Sequence, residues 1–175
     1  MECFVIFVMA WCWLNATESK PRNVVVNFDM EELTDYLFNS DLKNAEKLIK
    51  SGIDINTKYN SGIYPIDAAI NSDNPKVLEF IIQNGANVNI ECGLPLSLAF
   101  DYCMDGMIQN DIQKPYPEAM EMVNILIQNG AQIDIKNKNG KTPIDVLKSY
   151  ASQKDKLEIL KNIFREVIKN IDDYL

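Results

Sequence analysis

Ser51-Gly52-Ile53-Asp54-Ile55-Asn56, Asn84-Gly85-Ala86-Asn87-Val88-Asn89 and Asn129-Gly130-Ala131-Gln132-Ile133-Asp134 are three versions of one block. Gly52 and Gly85 stand 33 positions apart, and Gly85 and Gly130 stand 45 apart. Each block follows a stretch whose apolar residues recur at helical spacing, and glycine suits the left-handed residue that closes a helix. Ahead of the second and third blocks, and after the last, Pro65, Pro95 and Pro143 stand where a helix begins, a position at which the missing N–H of proline costs nothing. A unit of this length cannot bury its apolar side alone, so neighbours must stack and share one core.

The spacing divides the chain into units at about 29–56, 57–89, 90–134 and 135–175. In the first, a helix over 29–39, with Asp29 as N-cap, turns Met30, Leu33, Leu37 and Phe38 inward, and a second helix runs from Leu42 to Lys50. The second is the most regular, with Pro65 and Pro75 opening its two helices. The third holds about twelve extra residues between Phe100 and Glu118. Helical spacing continues through Gln109, and a loop with Lys114-Pro115-Tyr116-Pro117 leads to a helix over 118–128. The fourth predicts a first helix reaching about Ser152 and one closing helix from Lys154 to Tyr174, apolar on one side and charged on the other, as a terminal cap requires.

These features resemble the ankyrin-repeat family. Gly62-Ile63-Tyr64-Pro65-Ile66-Asp67-Ala68-Ala69 and Gly140-Lys141-Thr142-Pro143-Ile144-Asp145 follow the family's turn and first helix, Gly-x-Thr-Pro-Leu-His-x-Ala-Ala. The second-helix endings follow its Gly-Ala-x-x-Asn. Tyr64 replaces the threonine, and Asp67, Ser97 and Asp145 take the histidine position, where a side chain bonding the local turn backbone is expected. The resemblance covers about residues 29–170. It implies an all-α ankyrin-repeat solenoid of about four helix-turn-helix units with short β-turn fingers, holding one protein partner on its concave side.

Composition narrows the chemistry. The chain of 175 residues has a net charge of −8 and contains no histidine. An acidic field repels nucleic-acid phosphates, so no nucleic-acid partner is expected. Without histidine every Ser-His-Asp and Cys-His nucleophile arrangement is closed. The four cysteines include no C-x-x-C pair, and no phosphate loop or dinucleotide fingerprint occurs. The sequence predicts no enzyme, no catalytic, cofactor or metal residue, and no cofactor. Cys92 and Cys103 read as free thiols, because a helix between them holds them too far apart for a disulfide.

Cys3 to Leu14 is a twelve-residue run without charge. It is too short to span a membrane and fits the core of an export signal over 1–16, cut after Ala16, ahead of a flexible segment at 17–28. Only Met1 and Glu2 precede it, without the usual lysine or arginine. A retained anchor through Cys12, or a cytoplasmic protein with a docked apolar tail, are the alternatives. Export places the mature monomer in the bacterial periplasm, off the membrane.

The expected contact residues are Tyr59, Asn60 and Ile63 on the second unit's finger, Asn71 beyond its first helix, and Glu91 with Ile90 and Cys92 at the third unit's tip. Asp101, Tyr102 and Asp105 on the long helix, Tyr116 in the insertion and Lys138 on the fourth finger complete the set. Asp101 and Asp105, with Glu118 and Glu121, form an acidic patch suited to lysine and arginine on a partner. A basic toxin domain neutralised by a small bacterial immunity-like ankyrin protein is one expected partner; a host or envelope protein bound by an exported effector or scaffold is the alternative.

Overall fold

The computed structural model describes residues 31–58, 62–151 and 154–175. The export signal, the 17–28 segment, Asp29, Met30, Tyr59, Asn60 and Ser152 lie outside them. Among the described residues the structure is helical, with turns and no strand. Unit 1 holds α1 (31–38) and α2 (Leu42–Lys50), and unit 2 holds α3 (Pro65–Ile70) and α4 (Pro75–Gln83). Unit 3 holds α5 (Ile90–Gln109) and α6 (Pro117–Gln128), and unit 4 holds α7 (Pro143–Tyr150), α8 (Lys154–Phe164) and α9 (Ile171–Tyr174).

The first helices stack α3 on α5 on α7, and the second helices stack α4 on α6. Ala68 and Ala69 keep the layers close, and Leu78, Ile81, Leu96, Phe100, Met122 and Leu126 fill the space between them. Phe100 meets Phe164 edge to face at 5.5 Å, which ties the long helix to the closing helix.

The recurring block is a joint between units. At its start the Gly85 N–H donates to the Ile82 carbonyl and the Ala86 N–H reaches back to that of Ile81, a helix end that needs the left-handed φ of 98° at Gly85. At its end an asparagine clamps the next unit. Asn56 donates to the Gly85 carbonyl at 3.0 Å and accepts from the Asn87 N–H at 2.7 Å. Asn89 does the same to Gly130 and Gln132, at 2.9 and 2.8 Å. One amide side chain thereby satisfies a donor and an acceptor of its neighbour.

The first helices are capped in matching fashion. The Tyr64 N–H donates to Asp67 Oδ2 at 3.0 Å and the Thr142 N–H to Asp145 Oδ2 at 2.9 Å. A carboxylate three residues into a helix thus replaces the imidazole of the family pattern. Ser97, at the same position in unit 3, donates its hydroxyl to the Gly93 carbonyl at 3.1 Å.

Four expectations are corrected. Phe38 is 56% exposed: Leu33 and Leu37 occupy the core-facing stripe of α1, and the next residue is turned about 100° away. Ile90 is buried and is not a turn tip. Unit 3 instead turns through three left-handed residues, Glu91 (φ 46°), Cys92 (φ 58°) and Gly93 (φ 84°), before its right-handed helix begins. The helix α7 stops at Tyr150. The closing helix breaks after Phe164, where Val167 and Ile168 N–H groups both return to the Phe164 carbonyl. The break lets Ile168 and Ile171 fold into the core, and Arg165 holds the returning segment through Asp172 at 3.0 and 3.2 Å.

Candidate functional site

The expected contact residues fall into two groups. Ile63, Glu91 and Lys138 lie at the turns that precede the first helices. Asn71, Asp101, Tyr102 and Asp105 lie at and beyond the other end of those helices, with Tyr116 in the insertion beside them.

At the turns, much of the charge is already used. Lys58 pairs with Glu91 at 2.5 Å, joining unit 2 to the left-handed turn of unit 3, and its ammonium sits 5.2 Å from the centre of the Tyr64 ring. The bond to Lys58 holds the Glu91 carboxyl below its ordinary value and raises the Lys58 ammonium. Beneath them Asp67 is buried, and its Oδ1 has no hydrogen-bond partner among the described residues. Burial raises the Asp67 carboxyl, with the Tyr64 N–H acting against the rise. A shallow pocket of about 570 Å³ separates the Glu91–Cys92 turn from the turn carrying Lys138. Gly93 seals the joint behind it: a Cβ there would meet Pro143 Cγ at 2.6 Å.

At the other helix end the charge is unspent. The Tyr150 hydroxyl lies 3.2 Å from Asp105 Oδ1 and 3.4 Å from Asp101 Oδ1. It donates one proton between two carboxylates. Burial, then repulsion from Asp105, raises the Asp101 carboxyl. Burial and the same two carboxylates push the Tyr150 phenol up to about 12. Next to them Tyr102 is half-buried, and burial, then a bond to Asp73, raises its phenol, with Glu118 adding to the effect. Among the described residues no ion pair involves Asp73, Asp101, Asp105 or Glu118. This end of the stack therefore presents carboxylates steadied by tyrosines and not neutralised by cations.

The insertion is fastened to this end. The Tyr116 ring lies over Gly106, where a Cβ would meet its Cδ2 at 3.3 Å, and Pro115 is buried. Tyr116 is consequently part anchor and only 42% exposed. Sequence reasoning missed Tyr150 and Phe38. The fourth first-helix motif places Tyr150 48 positions after Tyr102, as Pro143 follows Pro95, so aligning the motifs would have found it. Phe38 aligns with Asn71 across one 33-residue period, and the same alignment puts it at the corresponding end of its helix.

Cys103 is buried, and burial pushes its thiol up to about 12; Cys92 is half-buried, and both thiols are free. Among the described residues no group of three or more His, Cys, Asp or Glu is placed to hold a metal ion, and no helix is long and apolar enough to cross a membrane.

Residues 61–92 match the family model for the ankyrin repeat. No curated protein matches the chain. Among solved structures, it is similar to the ankyrin repeat domain of Bcl-3, described as a unique member of the IkappaB protein family, at 20% identity and a TM-score of 0.51. That likeness covers 74% of this chain and 50% of the other, so this chain spans about half of the Bcl-3 domain's length. With its stacked helix pairs, glycine-closed second helices and proline-opened first helices, the chain carries an ankyrin repeat at 61–92 and has the ankyrin-repeat fold.

Proposed function

We propose that this protein is a binding module that holds a cationic segment of one protein partner against the first-helix ends of units 2 and 3. Ankyrin repeats mediate protein–protein interaction. The observation that carries the specific reading is the pair Asp101 and Asp105, sharing one tyrosine proton, beside Asp73 and Glu118. Carboxylates without a cation attract one, and a lysine or arginine reaching the half-buried Asp101 and its neighbours gains charge-assisted hydrogen bonds. The net charge of −8 steers such a partner in from a distance.

The test is a titration with a short lysine- and arginine-rich peptide. Asp101→Asn/Asp105→Asn should weaken binding about tenfold, which is about 1.4 kcal/mol, and flatten the salt dependence. Binding that is equal in the two proteins rejects the reading. The narrower role that suits an acidic surface is neutralisation of a basic toxin domain. Co-purification with the product of an adjacent gene, and rescue from its toxicity, tests that role. The apolar run at 3–14 supports export, and an amino terminus at Thr17 in the mature chain is the check.

A further inference from the structure

An open groove of about 1250 Å³ lies beyond the ends of the first helices, between the extension of α5, the insertion, α6 and α8. Met104, Met107, Ile108, Met120, Ile159 and Ile163 supply its apolar lining. Ile108 is 62% exposed and Ile159 48%, so the two isoleucines stand uncovered on opposite walls among the described residues. A space this large exceeds the roughly 300–1,000 Å³ of a small-molecule site. Its open form suits the apolar side of a helix about 10–12 Å across. Methionine adapts to whatever side chains enter.

Continuity and charge indicate the occupant. Tyr150 lines the groove and is also the residue whose hydroxyl faces Asp101 and Asp105. The groove and the carboxylates are therefore two sides of one surface. Among the described residues lining the groove, Asp111, Glu121 and Glu166 outnumber Lys114 and Lys156.

We infer that the groove receives the apolar face of a cationic amphipathic helix from the partner, with its basic residues directed to Asp105 and Asp101 across Tyr150. This rests on the proposed cationic partner and adds the form that the partner takes. The regular units lack such a site, because it is made by the insertion and the helix extension of unit 3 meeting the closing helix of unit 4.

The experiment uses the full chain and two peptides of identical composition, about 14 lysines and leucines, one with its leucines on a single helical face and one scrambled. The amphipathic peptide should bind at least tenfold more tightly than the scrambled one. Ile159→Asn, and separately Ile108→Asn, should remove that advantage and leave the scrambled peptide's affinity unchanged. In the unmutated chain the methyl resonances of Met104, Met107 and Met120 should shift with the amphipathic peptide only. Equal binding of the two peptides with unmoved methyls overturns the groove assignment and leaves the cationic site standing. Binding of neither peptide overturns both. A dimer of the unmutated chain that Ile159→Asn converts to monomer gives the groove to a second copy and also overturns the assignment.

Discussion

In unit 2 the first helix is six residues long, Pro65–Ile70, and every one of them is buried. In unit 3 the corresponding helix runs on to Gln109, exposes Asp105 and Ile108, and carries an insertion fastened by Tyr116. The two units share the parts that face each other. Both end their second helix with the same glycine-alanine turn, and both are clamped from the preceding unit by an asparagine. The difference is concentrated in the turn before the first helix and in the stretch after it, where unit 3 adds the helix extension and the insertion. A repeat array holds constant what joins units and lets the uncovered ends diverge. Unit 3, the least regular, is for that reason where the specific contact is to be sought.

Mutations can break this comparison. The largest effect belongs to the shared core: Leu78→Ala in α4 should cost about 3 kcal/mol in urea unfolding, whereas Ile108→Ala on the extension should cost less than about 0.5. Comparable losses at both would mean that the extension is part of the stack. Next is the unit 3 turn. Gly93→Ala adds a side chain at φ +84° and drives it into Pro143, so about 2 kcal/mol is expected. Gly62→Ala, at φ +82° in open space, should cost only about 1 kcal/mol of backbone strain. The clamps come third: Asn56→Ala and Asn89→Ala should each cost about 1 kcal/mol. If only one did, the two joints would not be equivalent.

The smallest effects sharpen the comparison through pH. The Thr142 N–H holds the Asp145 carboxyl below its ordinary value of 3.8. Its contribution is present above that value and is lost as pH falls through the lowered one. Burial raises the Asp67 carboxyl, so its contribution is present below 3.8 and is lost as pH rises through the raised value. Asp145→Asn should therefore be most harmful near neutrality and Asp67→Asn most harmful in acid. Stability curves of the two variants with the same pH slope would show that the buried Asp67 Oδ1 has found a partner in solution.

Much of the fold was legible. The recurring block, the prolines at 65, 95 and 143 and the apolar spacing give the helix pairs, and Leu42–Lys50 and the Gln109 end of α5 agree with the structure to the residue. Three features were not legible, the first two because they depend on contacts distant in the chain. The left-handed turn at Glu91-Cys92-Gly93 is held by Lys58 in one unit and abuts Pro143 in another. The break after Phe164 follows from burial of Ile168 and Ile171, which a helical stripe read in isolation cannot distinguish from continuation. Phe38 looked apolar enough for the core, but the stripe was already filled by Leu33 and Leu37.

The candidate site was legible as residue types and not as an arrangement. Asp101 and Asp105 show in sequence as a pair on one helix side, but Tyr150, which joins them, comes from the next unit. Glu91 reads like a free carboxylate at a turn tip, and its pairing with Lys58 takes it out of the unspent charge.

Hydrogen–deuterium exchange of the full chain, with and without a saturating lysine- and arginine-rich peptide, tests the central claim most directly. The account predicts slowed exchange over residues 100–120, covering the α5 extension, the insertion and the start of α6, with α4 unchanged. Protection confined to the turns at 62–64 and 137–141, or protection of α4 equal to that of α5, would contradict it.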